Sequence, residues 1–253
     1  MTATPTSAAI AKMIEHSLLH PTLTEQELRT GCEIARKYHV ANCCVKPCHV
    51  GLAKQLLAGS DVAVCAVIGF PHGNSTIDIK VAEAQQVIRD GATEVDMVIN
   101  IAKAIEGDWA YLEKEIGALQ AACIKAKAIL KVIFETDYLN DAQIIKLCEL
   151  CSKVGVAFVK TSTGYNYVKQ ADGKMDYAGA TLRVLELMRK HSAPQVQVKA
   201  AGKVRGVDGF LRVRALGITR VGTAQTAALM EEARVQLDGA APGTTIKTEQ
   251  AGY

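Results

Sequence analysis

A chain of 253 residues is long enough for one sizeable core, whether a single α/β barrel or two smaller domains. With 49% hydrophobic and 22% charged residues and only six prolines, the composition excludes a disordered or fibrous chain. A formal net charge of +3, with no basic block interleaved with aromatics, argues against nucleic-acid and membrane-surface partners and leaves small molecules as the expected ones.

In chain order, short runs rich in Val, Ile and Cys alternate with longer amphipathic stretches. The opening "MTATPTSAAIAKM" has neither the charged start nor the long apolar core of a signal peptide, and reads as a short N-terminal extension. The first strand is expected in "MIEHSLL", followed by a helical pattern in "TEQELRTGCEIARKYH" and strands in "ANCCVKP" and "DVAVCAVIGF". A helix bracketed by a Ser75 cap and Gly91 leads to "EVDMVIN"; "DWAYLEKEIGALQAACIKAKA" leads to "ILKVIFET". "LNDAQIIKLCELCSKVG" precedes "VAFVKTST", and "GATLRVLELMRKH" precedes "VQVKAAG" and then "TRVGTA". Eight strands that are apolar almost throughout are what a parallel sheet covered on both faces requires. The alternation predicts one (β/α)8 barrel domain over residues 1–253, with an open doubly wound sheet as the alternative.

Two segments fall outside the repeat. "NYVKQADGKMDYA", Asn166 to Ala178, is a polar excursion after the sixth strand, and a Gly/Thr-rich tail from about residue 238 ends in Tyr253. Both are expected to be flexible. The eight cysteines lie mostly inside apolar segments and lack the dense spacing of a secreted disulfide scaffold, and no apolar run approaches the roughly 20 residues of a membrane span. A cytoplasmic protein is expected.

In a barrel the carboxyl ends of the strands converge on one face, so Asp96, Lys131, Lys160 and Lys199 share a rim. One lysine at a strand end is commonly a snorkelling or salt-bridged side chain. Two beside an aspartate suit a more demanding chemistry. An amine of ordinary pKa near 10.4 is almost wholly protonated at neutral pH. A second ammonium about 4.5 Å away, at an effective dielectric near 20, disfavours the charge by roughly 3.7 kcal/mol, or about 2.7 pKa units. Such an amine adds to a carbonyl and loses water to give an iminium, an electron sink that makes the neighbouring C–C bond breakable. An aspartate within reach moves the protons. The competing account is a structural Lys-Asp-Lys ion network that only closes the barrel mouth.

The spacing in "CCVKPCH" matches no zinc motif and the six histidines do not pair as ligands, so neither a metal nor another cofactor is expected. "GFPHGNST" is either a pocket wall or a structural turn. Gly202, Lys203, Arg205, Gly222 and Thr223 follow the last two strands, where barrels hold phosphate on backbone amides and a helix N-terminus.

Taken in order, "VIGFPHG", "EVDMVINI", "LKVIFET", "FVKTSTGY", "GATLRVLELMRKH", "VKAAGKVRG" and "GITRVG" resemble the deoxyribose-phosphate aldolase family of class I aldolases, from about Ile14 to Glu232. The resemblance implies a metal-free (β/α)8 barrel that reversibly cleaves 2-deoxy-D-ribose 5-phosphate to acetaldehyde and D-glyceraldehyde 3-phosphate. It implies Lys160 in "VKTSTG" as Schiff-base nucleophile, Lys199 in "VKAAG" as electrostatic tuner and Asp96 as proton relay, with Glu15 assisting. Tyr253 corresponds to a terminal tyrosine that some members use to protonate the enamine. Thr161, Gly202, Lys203, Gly222, Thr223 and Lys131 are the expected substrate contacts, and a homodimer is the expected assembly.

The departures from the family pattern are informative. Its early aspartate is Glu15 here, a "GG" is Gly202-Lys203, and a "GASS"-like turn is Gly222-Thr223-Ala224-Gln225, without the serine hydroxyls. Lys46 adds a positive charge before Pro47, and the 166–178 excursion is longer than usual. These changes favour one alternative, an aldolase of the same mechanism for a nonphosphorylated or carboxylated sugar; a non-catalytic ligand-binding barrel and a barrel isomerase or synthase using Lys160 only as an ion-pair partner are the others.

Overall fold

The computed structural model describes residues 5–169 and 172–241. A short helix α1 (Ser7–Ala11) precedes β1 (Ile14–Leu18), followed by α2 (Glu25–Lys37), β2 (Asn42–Val45), α3 (Val50–Leu56), β3 (Ala63–Ile68), α4 (Ile77–Asp90) and β4 (Glu94–Val98). The chain continues through α5 (Ile101–Glu106), α6 (Trp109–Lys125), β5 (Ile129–Ile133), α7 (Asp141–Val154) and β6 (Phe158–Lys160). A hairpin of β7 (Val168–Lys169) and β8 (Met175–Asp176) leads to α8 (Leu182–His191), β9 (Gln197–Ala201), α9 (Gly206–Ala215), β10 (Arg220–Thr223) and α10 (Thr226–Asp238).

The eight strands expected from the apolar runs close into a parallel barrel, in which β10 pairs with both β9 and β1. This is the (β/α)8 architecture, not the open sheet. Helix ends follow their local chemistry. Thr24 and Asn140 form capping boxes with Glu27 and Gln143, and Gly91 and Gly155 end α4 and α7 in the left-handed conformation. The helix expected to start at Ser75 is instead capped by Thr76, without a side-chain capping bond. Among the described residues, no helix is long and apolar enough to cross a membrane.

Strand register sorts the inward-facing residues into layers of four drawn from alternate strands, as barrel closure demands. Asn42, Glu94, Phe158 and Arg220 form one level; Glu15, Cys65, Lys131 and Lys199 form the next; Cys44, Asp96, Lys160 and Gly222 lie above them. Lys160 and Lys199 are direct register partners on β6 and β9. Layers that barrels ordinarily fill with Val, Ile and Leu are here largely ionic.

The excursion after β6 holds the antiparallel β7–β8 pair. Asp137 ties its far end to the barrel by accepting the backbone N–H groups of Ala178 (2.5 Å) and Gly179 (3.1 Å). At the other end of the chain Ser7 donates its backbone N–H to Asp238 (3.0 Å), fastening α1 to the end of α10. The tail expected from about residue 238 thus begins inside a bonded helix end, and residues 242–253, Tyr253 included, lie outside the described residues.

The "GFPHGNST" segment is largely a structural turn. Gly73 has φ of +69°, and a Cβ there would stand 1.8 Å from the carbonyl oxygen of Ile99. Lys80 on α4 reaches beneath the turn and donates to the carbonyls of Gly73 (2.6 Å) and Val98 (2.7 Å) and to Glu115 on α6 (2.7 Å). Both partners of the ion pair are fully buried. Burial pushes the Lys80 ammonium down and the Glu115 carboxyl up, against their mutual attraction. Such a pair matters most when it is broken, because the survivor is left charged and dry. Lys80→Met is expected to lose about 3–5 kcal/mol of stability, read as the shift in a urea unfolding midpoint.

Candidate active site

The side chain at the centre of the barrel is Asp96, fully buried on β4. One carboxylate oxygen accepts from Lys160 (2.8 Å) and Lys199 (2.7 Å), and the other accepts from Lys131 (3.0 Å) and from the thiol of Cys65 (3.1 Å). Glu15 on β1 bridges Lys199 and Lys131, the latter at 3.3 Å. Glu94, below, takes Lys131 at 2.5 Å and the side-chain amide of Asn42 at 2.8 Å. Arg220 closes the ring at 3.6 Å from Glu15 and 3.8 Å from Glu94. Three carboxylates therefore face three lysines and a guanidinium, leaving one cation in excess.

Burial disfavours the charges of Asp96, Glu15, Lys131 and Lys199, and their partners reverse that. Burial opposes the Asp96 charge, yet Lys131, Lys160 and Lys199 together hold its carboxyl well below the usual carboxylate range. Glu15 is lowered in the same way, Lys131 and Lys199 outweighing burial. Lys131 and Lys199 are raised: burial disfavours their charge, but Asp96 leads the groups that restore it. The electrostatic tuner expected at Lys199 is thus firmly an ammonium. Bare repulsion between Lys160 and Lys199 was the sequence expectation; the geometry inserts an Asp96 oxygen between them.

Above Asp96 opens a cavity of about 330 Å³ lined by Lys160, Ser17, Leu19, Thr163, Tyr165, Tyr177 and the loops after β9 and β10. Gly222, which has no side chain in its layer, lines it. A Cβ at that position would lie in ordinary contact, 3.6 to 3.8 Å from Ser17, Ala201 and Lys199. Of the three central lysines only Lys160 lines the cavity. The helices α9 and α10 begin at its far end, after Arg205 and Gln225.

Gly202, Lys203, Gly222 and Thr223 line the cavity as expected of substrate contacts. Two others do not. Lys131 lies beneath the pocket, fully buried among Glu15, Glu94 and Asp96, because it points inward one layer below Lys160. Thr161 is fully buried too, and its hydroxyl exchanges hydrogen bonds with the backbone of Ala201, stapling β6 to β9. Lys46 donates to the carbonyls of His20 (2.8 Å) and Pro21 (3.4 Å) and so braces the loop after β1. Arg205, singled out after the seventh strand, lines the cavity too, while Tyr165 and Tyr177 are cavity residues that sequence reasoning missed. The position of Tyr165 beside the "VKTSTG" motif was the available signal.

The ligand atoms of Glu15, Cys44, Cys65 and Asp96 lie within 4.8 Å of one another. That donor set does not fit a metal ion, since its carboxylates already bind ammonium groups and a further cation would enlarge the excess charge.

Residues 10–208 match the DeoC/LacD family aldolase model. The chain is similar to a deoxyribose-phosphate aldolase of Rhodopirellula baltica, 46% identical over 96% of this chain and 97% of that protein. A solved structure of an aldolase named QR15 superposes with a TM-score of 0.79 at 32% identity, covering 88% of this chain and 95% of that one. The structure described as the unique tetrameric deoxyribose phosphate aldolase of Aeropyrum pernix gives a TM-score of 0.77 at 26% identity, covering 89% and 91%. With its ionic barrel interior, its cavity-lining lysine and these matches, the chain belongs to the DeoC/LacD family of aldolases.

Proposed function

We propose that this protein is a class I aldolase that reversibly cleaves 2-deoxy-D-ribose 5-phosphate to acetaldehyde and D-glyceraldehyde 3-phosphate, with Lys160 as nucleophile. The observation that carries the reading is Lys160 itself, bordering the cavity with its amine on the same Asp96 oxygen as the ammonium of Lys199. Only a neutral amine adds to a carbonyl, and of the three central lysines Lys160 is the one that lines the cavity. Lys131 and Lys199 are held charged by their carboxylates. The reactive position falls to Lys160.

The amine adds to the sugar aldehyde, and loss of water leaves an iminium. As the C3 hydroxyl loses its proton, the C2–C3 bond breaks and its electron pair flows into the iminium, giving an enamine and releasing D-glyceraldehyde 3-phosphate. Protonation of the enamine carbon and hydrolysis of the imine release acetaldehyde. Asp96 relays protons at the nitrogen, with Glu15 keeping Lys199 in place.

The phosphate lies in the same cavity, against Gly202, Lys203, Thr223 and the starts of α9 and α10. Lys203 there pairs with Asp176 of β8 at 2.7 Å and sits 4.8 Å over the ring of Tyr177. Both charges are partly exposed, so the pair is weak and a phosphate dianion displaces Asp176. The same pair favours a second reading, since a lysine already neutralised by Asp176 also suits a sugar without phosphate. Partners of the enzyme are an aldehyde and a sugar phosphate, its site of action is the cytoplasm, and it associates as a homodimer, which sedimentation would weigh against the tetramer of the Aeropyrum pernix relative.

Incubation with acetaldehyde and borohydride is expected to leave a reduced ethyl group on Lys160 by peptide mapping, absent from Lys160→Met; a folded wild type without adduct removes the aldolase reading. Lys203→Met is expected to raise KM for the 5-phosphate about tenfold, equivalent to one charge-assisted hydrogen bond, while cleavage of free 2-deoxyribose stays within about twofold. Equal losses on both substrates would support the nonphosphorylated sugar. Gly222→Leu is expected to keep the fold, its backbone needing no left-handed φ, but to fill the cavity floor and lower kcat/KM about 100-fold or more.

A further inference from the structure

Glu135 is buried, yet the mechanism above gives it no part. It lies just past β5 with φ 61° and ψ 62°, a left-handed conformation that a residue with a side chain adopts under strain. The strain has a local cause. The flanking residues keep pairing with the neighbouring strand, Phe134 donating to the Lys160 carbonyl and Thr136 to that of Thr161, both at 3.0 Å. Glu135 is the extra residue between them, as in a bulge, and bulges re-aim side chains.

Its target is Thr163, three residues beyond Lys160 and part of the cavity wall. The carboxylate receives the Thr163 backbone N–H at 3.1 and 3.2 Å and the Thr163 hydroxyl at 2.5 Å. The same hydroxyl oxygen accepts the backbone N–H of Tyr165 at 3.0 Å. A threonine hydroxyl has one proton and two lone pairs. The proton goes to Glu135 and one lone pair to Tyr165, so the hydroxyl keeps a single free lone pair.

We infer that Glu135 is a positioning residue that makes the Thr163 hydroxyl a hydrogen-bond acceptor toward the substrate, and that protonation of Glu135 converts it into a donor. The inference rests on the aldolase reading, in which the substrate hydroxyl next to the breaking bond must give up its proton. An acceptor beside that O–H orients it for departure; a donor turns it away.

The charged groups facing Glu135 are Asp137 on the following turn and Lys160 on β6. Burial is the main influence and raises the carboxyl to about 7, the Thr163 bonds and Lys160 opposing it and Asp137 adding to it. As pH falls through that value, Glu135 gains a proton, donates it to the Thr163 oxygen, and frees the Thr163 proton for the cavity. Cleavage should fall with it.

The test is the pH dependence of kcat and kcat/KM for 2-deoxyribose 5-phosphate in wild type, Glu135→Gln, Thr163→Val and the double variant, with thermal melts and borohydride trapping alongside. Wild type is expected to show an acid limb near pH 7 that Glu135→Gln lacks. At pH 8 that variant should lose about tenfold in kcat with KM within about threefold, and the double variant should be no slower than Thr163→Val alone. A limb that survives in Glu135→Gln, or losses that multiply in the double variant, would overturn the inference. Should Glu135→Gln fail to fold, Thr163→Val by itself must lose the limb, and its retention is equally fatal. Wild type that traps no acetaldehyde overturns the aldolase reading instead; trapping with an unchanged limb overturns only the role of Glu135.

Discussion

The carboxylate of Asp96 accepts from three lysines in the middle of a barrel, and the rest of the site follows from that one anion. Three ammonium groups cannot share a dry interior unaided, because each carries a desolvation penalty of several kcal/mol. Asp96 offsets it for all three, Glu15 and Glu94 complete the compensation, and the strand register places them on adjacent layers where they can do so. An apolar filling of the same layers would pack well and leave no chemistry. The charged filling ties β1, β4, β5, β6 and β9 together through side chains as well as through their backbone ladder.

Access to the cavity separates Lys160 from the other two central lysines. Here the protons on Lys131 and Lys199 are secured by carboxylates on several sides, while Lys160 has Asp96 beneath it and the open cavity above. Gly222 shares the uppermost layer with Cys44, Asp96 and Lys160 and lines the cavity beside Lys160, so the cluster, spread over three layers, meets the cavity at its top.

Much of this was legible in the sequence because parallel barrel strands are apolar almost throughout, so a lysine or aspartate inside one is conspicuous. Lys160, Lys199 and Asp96 stood out for that reason, and the resemblance then assigned them roles. Lys131 stood out equally and was assigned to substrate, since a linear string shows that a residue points inward without showing at which height. Register supplies the height. Thr161 was misplaced for a related reason: adjacent residues of a strand face opposite ways, and a position next to Lys160 is a poor place for a cavity contact. Tyr165 and Tyr177 come from loops whose paths no periodicity encodes.

Glu135 was hidden for a different reason. In "LKVIFET" it reads as the polar end of a strand, and nothing local announces a left-handed residue there. Its conformation is imposed by β6, which goes on accepting from Phe134 and Thr136 while the chain between them must bulge. A glycine would take that conformation with less strain, so the glutamate is kept in spite of its backbone preference. What it does that glycine could not is accept both the N–H and the O–H of Thr163. The cluster around Asp96 sets the charge of the cavity floor, and Glu135 sets the hydrogen-bonding sense of its wall. An aldol cleavage needs both, because the electron pair leaves toward the floor while the hydroxyl proton leaves along the wall.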